Sequence, residues 1–146
     1  MNAQARPHRG TIFEERAEVL AHERFAGDQF ILTLKAPKCA RAATPGSFVH
    51  LSCDEQVPMR RPLSIMRAHP DRGSIEVLYK IVGPGLASLA ARRVGESINA
   101  LGPIGNGFVP HRDRPRTLLV GGGVGIPPMV FLAERLREDS ATPWKP

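Results

Sequence analysis

Arg60-Arg61-Pro62-Leu63-Ser64 puts two cations, a proline and a hydroxyl within five residues. Arginine carries a planar fork of donors that matches phosphate oxygens. Proline fixes one backbone angle and removes a donor. A serine hydroxyl both donates and accepts, which suits the mixed edge of a heteroaromatic ring. Leu63 adds an apolar face. Two readings stand open: a strand with a solvated end, or half of a site for a phosphate and a ring. Three glycine-rich stretches bear on the choice. Gly83 and Gly85 precede a helix-forming segment, where backbone N–H groups can approach an anion closely, or where a turn merely needs positive φ. Gly102-Pro103-Ile104-Gly105-Asn106-Gly107-Phe108 reads as a shaped loop or as a simple connection. Gly121-Gly122-Gly123-Val124-Gly125 follows an apolar run and precedes a helix, the setting of a pyrophosphate site. It does not satisfy G-x-G-x-x-G, because the last glycine would fall at Ile126, so a tight strand–helix turn is the alternative.

Charge and composition narrow the function classes. A net charge of +6 and a pI near 10.1 suit anionic partners. The cations are dispersed, and aromatics, at 5%, do not interleave with them into a stacking platform, so no nucleic-acid partner is expected. Cys39 and Cys53 lack metal-ligand spacing and are expected as buried or partly buried free thiols. The five histidines are scattered, and no metal site is expected. The first ten residues lack the apolar core of a signal peptide, and no apolar run spans a bilayer. A cytoplasmic protein without a membrane partner is therefore expected.

The elements that must position these residues are short. Gly and Pro are each near a tenth of the chain, which favours many turns and β-structure. Strand patterns occur at 16–25, 29–37, 46–53, 61–66, 74–82 and 97–102, with a helix at 85–93 that Gly95 would end. Residues 1–10 read as a loose polar tail. The expected fold is mainly β, a six-stranded antiparallel Greek-key barrel. The pattern then changes: a buried strand at 117–120, the glycine turn, and a helix with Met129, Leu132, Ala133 and Leu136 at helical spacing. This is the first β–α unit of an α/β nucleotide-binding domain. The division is expected as 11–112 and 113–146. A lone strand and helix cannot cover their own faces, so a homo-oligomer through this C-terminal unit is expected.

Taken in order, these motifs resemble the ferredoxin–NADP reductase superfamily, and within it the electron-transfer subunits of type B dihydroorotate dehydrogenase. The residues that carry the likeness are Arg61-Pro62-Leu63-Ser64, Leu78-Tyr79-Lys80, Gly83-x-Gly85, the 102–108 loop and Gly121–Pro127, across about 14–137. The resemblance implies an FAD-binding barrel, a nicotinamide domain, and electron passage between a catalytic flavoprotein subunit that oxidises dihydroorotate and NAD. It implies that Arg61 holds the FAD diphosphate, Leu63 packs near the flavin, and Ser64 faces the isoalloxazine. Pro62, Leu78, Tyr79 and Lys80 would line the cofactor, and Gly85 and Leu86 would cap the diphosphate through backbone N–H groups. Gly121, Gly122, Gly123 and Gly125 would serve the nucleotide. No residue is assigned a catalytic role, and Arg60 is expected to be a solvated neighbour. Three departures stand out: Leu86 occupies a position where members often carry a hydroxyl, the cysteine-rich iron–sulfur segment is absent, and so is most of the nucleotide domain. A bound NAD is thus expected only in a complete protein, with no iron–sulfur cluster in this chain. The alternatives are an FAD-free interaction module or the flavin domain of a sulfide- or hydrogenase-linked reductase.

Overall fold

The computed structural model describes residues 10–54, 56–111 and 116–139. Six strands, β1 (Phe13–Phe25), β2 (Gln29–Lys35), β3 (Phe48–Leu51), β4 (Arg61–His69), β5 (Ser74–Lys80) and β6 (Ser97–Ile104), close into an antiparallel barrel in the order β1-β2-β5-β4-β3-β6. The cause is visible in the alternation. Phe30, Leu32 and Leu34 of β2 and Ile75, Val77 and Tyr79 of β5 are buried, and their partners in register are buried with them. A side-chain period of two sends each such set to one face. Val19, Val49, Leu51, Ile65, Ile98 and Ala100 complete the core.

The sequence pattern has the barrel strands in the right places but misses their ends: it overruns β2, β3 and β5, given as 29–37, 46–53 and 74–82, and cuts β1, β4 and β6 short. β1 starts three residues earlier than its pattern, β4 runs on to His69, and β6 runs on to Ile104. One helix was not foreseen: α1 (Pro37–Ala42). Pro at its first turn and the following alanines are compatible with a helix. Its cap, however, comes from a distant strand: Glu15 of β1 accepts the Lys38 N–H at 3.0 Å and the Cys39 N–H at 2.8 Å. The second helix, α2, spans Pro84–Ala90, shorter than 85–93, and Gly95 (φ 90°) turns the chain into β6 instead of ending the helix.

The C-terminal unit corrects two expectations. Residues 117–120 form no strand; Leu118 and Val120 are 87% and 80% exposed. A strand needs a neighbouring ladder, and among the described residues none stands beside it. α3 (Ile126–Asp139) does form, but its apolar face is not bare. It lies across β4, with Phe131 joining the barrel core and Pro127 and Leu132 buried. A bulge between Ile65 and Arg67 buries Ile65 and Met66 in succession. Met66 lies outside the barrel's core cluster, on the strand that α3 covers. Arg67 ties the elements together: Nε donates to Glu134 of α3 at 2.7 Å and Nη1 to Glu76 of β5 at 3.0 Å. Burial opposes the Arg67 charge, but these two carboxylates outweigh it and raise its pKa.

Both cysteines are buried and free, as expected. Burial, helped by the Glu15 carboxylate, pushes the Cys39 thiol from its ordinary 9.0 up to about 12. The unfolded chain ionises this thiol first, so its contribution to stability is full below pH 9.0 and is lost as pH rises toward 12. A melting temperature followed from neutral to strongly alkaline pH should fall across that window. In Cys39→Ser part of the fall should be missing.

Candidate functional site

The cleft between β4 and β5 has its origin in their ladder. That ladder runs only from Ile65↔Val77 to His69↔Ser74. Beyond it, Arg61–Ser64 pair with β3 alone and Leu78–Lys80 with β2 alone. Pro62 contributes to the separation, since it has no N–H to give. Two strand edges therefore face each other with no ladder between them, and an edge of this kind is a template for whatever can hydrogen-bond to it. The edges belong to the two strand motifs that the sequence singled out.

At one end of this cleft α2 begins, where Gly85 meets Arg61. Gly83 (φ 80°) turns into the helix, no side chain caps it, and the first helical N–H groups have no acceptor within the helix. A Cβ built on Gly85 would lie 2.8 Å from Arg61 Nε and 3.1 Å from Nη2, so the guanidinium rests directly on that glycine. Met59 O holds Arg61 Nη1 at 3.1 Å. Arg61 and Gly85 thus meet at one place, and Leu86 follows Gly85 in α2. Arg61 carries no carboxylate partner among the described residues. Its charge remains available to an anion.

The remaining candidates divide by face. Leu63 and Tyr79 point inward: Leu63 is 9% exposed in the core cluster and Tyr79 3%. What they offer the cleft comes chiefly from their backbone. Pro62 and Lys80 are exposed, and Ser64 and Leu78 half-buried, on the opposite side of their strands. Arg60 is not the solvated neighbour expected. Its Nη2 donates to Glu14 at 2.6 Å and to Asn99 at 2.7 Å, because just past the end of β3 the side chains of Asn99 on β6 and Glu14 on its neighbour β1 come within reach of Arg60. Asn99 and then Arg60 hold the exposed Glu14 carboxyl below its ordinary range. Long-range pairing of this kind leaves no mark on local sequence.

The third glycine cluster stands apart from this cradle. Gly121 lies against Gly125 O and the Met129 side chain, 2.9 and 3.0 Å from where its Cβ would be, and Gly123–Gly125 form a single 3-10 turn that leads into α3. Gly122, Gly123 and Gly125 have open space around them. A cavity of about 340 Å3 beside α3 is lined by Phe108, the last residue of the 102–108 motif, and by Leu118, Leu132 and Leu136 among others, and by none of the residues of the Arg61–Ser64, Leu78–Lys80, Gly83–Leu86 or Gly121–Gly125 motifs. The 102–108 loop also has a definite place. Phe108 rests on Gly46, Phe48 on Gly105, and Thr44 on Gly107. The loop is thereby clasped to the start of β3, whose Phe48 pairs with Ser64. Among the described residues, no group of three His, Cys, Asp or Glu could hold a metal ion, and no helix is long and apolar enough to cross a membrane.

No family model matches the chain. The chain is 37% identical over 131 residues to the electron transfer subunit of dihydroorotate dehydrogenase B (NAD(+)) from Shouchella clausii, covering 86% of the chain and 50% of the relative. It is 35% identical over 122 residues to that subunit from Desulforamulus reducens, covering 82% and 47%. The chain spans about half the length of the curated relatives it matches. Among solved structures, the NADH-dependent reduced ferredoxin-NADP oxidoreductase of flavin-based electron bifurcation superposes with a TM-score of 0.77 at 30% identity, covering 85% of this chain and 45% of that one. The ferredoxin reductase in carbazole 1,9a-dioxygenase superposes with 0.75 at 27%, covering 90% and 42%. The chain is thus a homologue of the dihydroorotate dehydrogenase B electron-transfer subunits over about half their length, with a ferredoxin reductase-type barrel.

The contact at Gly85 gives a direct test of the cradle. In Gly85→Ala the added methyl displaces the Arg61 guanidinium from the α2 N-terminus. Inorganic pyrophosphate or ADP should then bind about tenfold more weakly, the scale of one charge-assisted hydrogen bond. The melting temperature should stay close to wild type, because Gly85 lies in a helix and not at positive φ. Calorimetric titration beside a thermal melt checks both.

Proposed function

We propose that the chain is the flavin-binding part of an electron-transfer subunit, with FAD seated between the β4 and β5 edges. The observation that supports this most is the meeting of two unpaired strand edges with the Arg61–Gly85 contact at an uncapped helix start. The residues fit the group. Arg61 balances the diphosphate charge, while the backbone N–H groups of Gly85 and Leu86 complete its shell. Gly85 fits because any side chain there would collide with Arg61. Leu86 supplies no hydroxyl, so at that position the backbone N–H is the donor. The backbones of Leu63, Ser64 and Leu78–Lys80 offer a long groove to an extended dinucleotide, and Ser64 and Pro62 line its ring end. When bound, FAD supplies the redox chemistry; the protein supplies position, charge and exclusion of water.

The relatives carry the reading further. Their name ties them to dihydroorotate oxidation and NAD(+). We take this chain's electron partner to be a catalytic dehydrogenase subunit in the cytoplasm, with FAD as the relay to NAD. Gly121–Gly125 would serve the NAD pyrophosphate in a protein with a fuller α/β domain. The division at 112 and 113 lies outside the described residues. A homo-oligomer through the C-terminal unit is supported by its exposed apolar residues Leu118, Val120 and Val124.

The purified chain should show the absorption bands of a flavin, or acquire them on titration with FAD. Arg61→Ala should weaken FAD binding by about tenfold to a hundredfold, the loss of a bidentate contact to phosphate. A colourless chain that ignores added FAD would count against this reading.

A further inference from the structure

Tyr79 is the chain's one tyrosine and is 3% exposed. Its ring stacks on Phe30 with centroids 5.4 Å apart and planes 13° from parallel. A buried phenol needs a polar partner, and its hydroxyl finds His22 Nε2 at 2.8 Å. The other ring nitrogen of His22, Nδ1, lies 2.9 Å from the carbonyl oxygen of Arg92. A carbonyl only accepts, so Nδ1 carries the hydrogen. In the neutral ring Nε2 is then the acceptor of the Tyr79 hydroxyl. The Arg92 guanidinium in turn donates to the carbonyl oxygen of Cys53, from Nε at 3.3 Å and Nη2 at 3.0 Å. Burial, and then the Cys53 thiol, push the Tyr79 phenol above its ordinary range, which keeps it a donor.

The four residues belong to four different pieces of the site. Tyr79 is on the β5 edge of the cleft. His22 is on β1, behind it. Arg92 lies just past α2, the helix that begins at one end of the cleft. Cys53 lies two residues beyond Leu51, which pairs with Arg61 at the β4 edge. The hydrogen bonds therefore run from the β5 edge, by way of Arg92 just past α2, to the segment that follows β3, the strand paired with the β4 edge. Tyr79 and Cys53 belong to the apolar core, but the Tyr79 hydroxyl, the His22 ring nitrogens and the Arg92 guanidinium add nothing to its apolar packing. We propose that Tyr79, His22 and Arg92 form a positioning tie that sets the separation of the β4 and β5 edges and the seat of α2, and so tunes the fit of a dinucleotide diphosphate. This rests on the cofactor reading above.

The test uses Tyr79→Phe, which keeps the ring stack, and Arg92→Met, which keeps the side-chain stem, alone and together. Amide hydrogen exchange of the chain without cofactor comes first. Both single variants should exchange faster at Leu78–Lys80 and through α2 than wild type, with β1–β2 and β3–β6 amides unchanged. Unchanged exchange at the cleft overturns the tie, whether or not FAD binds. FAD titration follows. Each single variant should raise the dissociation constant about fivefold to tenfold, the scale of one hydrogen bond, and the double variant no further than the worse single one, because both break the same tie. Effects that multiply, or single variants that bind like wild type, overturn it. Where Arg92→Met does not fold, Arg92→Lys, with one donor for the Cys53 carbonyl, should fall between wild type and Tyr79→Phe; binding as weak as the latter overturns the tie. Wild type that takes up no FAD would end the cofactor reading but leave the exchange result to decide the tie.

Discussion

Backbone N–H and C=O groups in a sheet must find partners, and beyond Ile65 and Val77 the strands β4 and β5 do not supply them to each other. The barrel stays closed, because β4 and β5 still pair from Ile65↔Val77 to His69↔Ser74. What is left is a cleft with a polar backbone edge on each wall, while the side chains of Leu63 and Tyr79 turn into the barrel core. The bulge at Ile65–Arg67 and Pro62 are the local causes. α2 starts at the open end, and its Gly85 lies against the Arg61 guanidinium. An extended, doubly charged ligand with a flat ring at one end meets all of these demands together.

The rest of the molecule braces this opening from behind. α3 lies on β4 and is pinned through Arg67 to both Glu134 and Glu76. Arg60 is drawn away from the cleft by Glu14 and Asn99, which leaves Arg61 as the cation at its mouth. Adjacent arginines of identical chemistry thus have opposite duties, decided by which strands the barrel places beside each. The clasp of the 102–108 loop on Gly46 and Phe48 fixes where the chain leaves the barrel for the C-terminal unit.

The barrel was legible in the sequence because its core obeys a period of two, and α3 because its apolar residues obey the helical spacing. Arg61, Gly85 and the two strand motifs were legible through residue type and order. The strand at 117–120 misled because apolar runs announce burial but not a partner, and no ladder is at hand there. α1 was missed because its cap, Glu15, lies more than twenty residues away and on another element. The inward turn of Leu63 and Tyr79, the capture of Arg60, and the His22–Arg92 link depend on strand register and on barrel closure. Neither is written in any local stretch.

The central claim is that the parted edges of β4 and β5 are a dinucleotide seat, and a crystal structure of the chain grown with FAD tests it most directly. The account predicts the diphosphate against Arg61 and Gly85, with the cofactor running between Arg61–Ser64 and Leu78–Lys80. FAD density elsewhere on the barrel, with the cleft filled only by solvent, would contradict it.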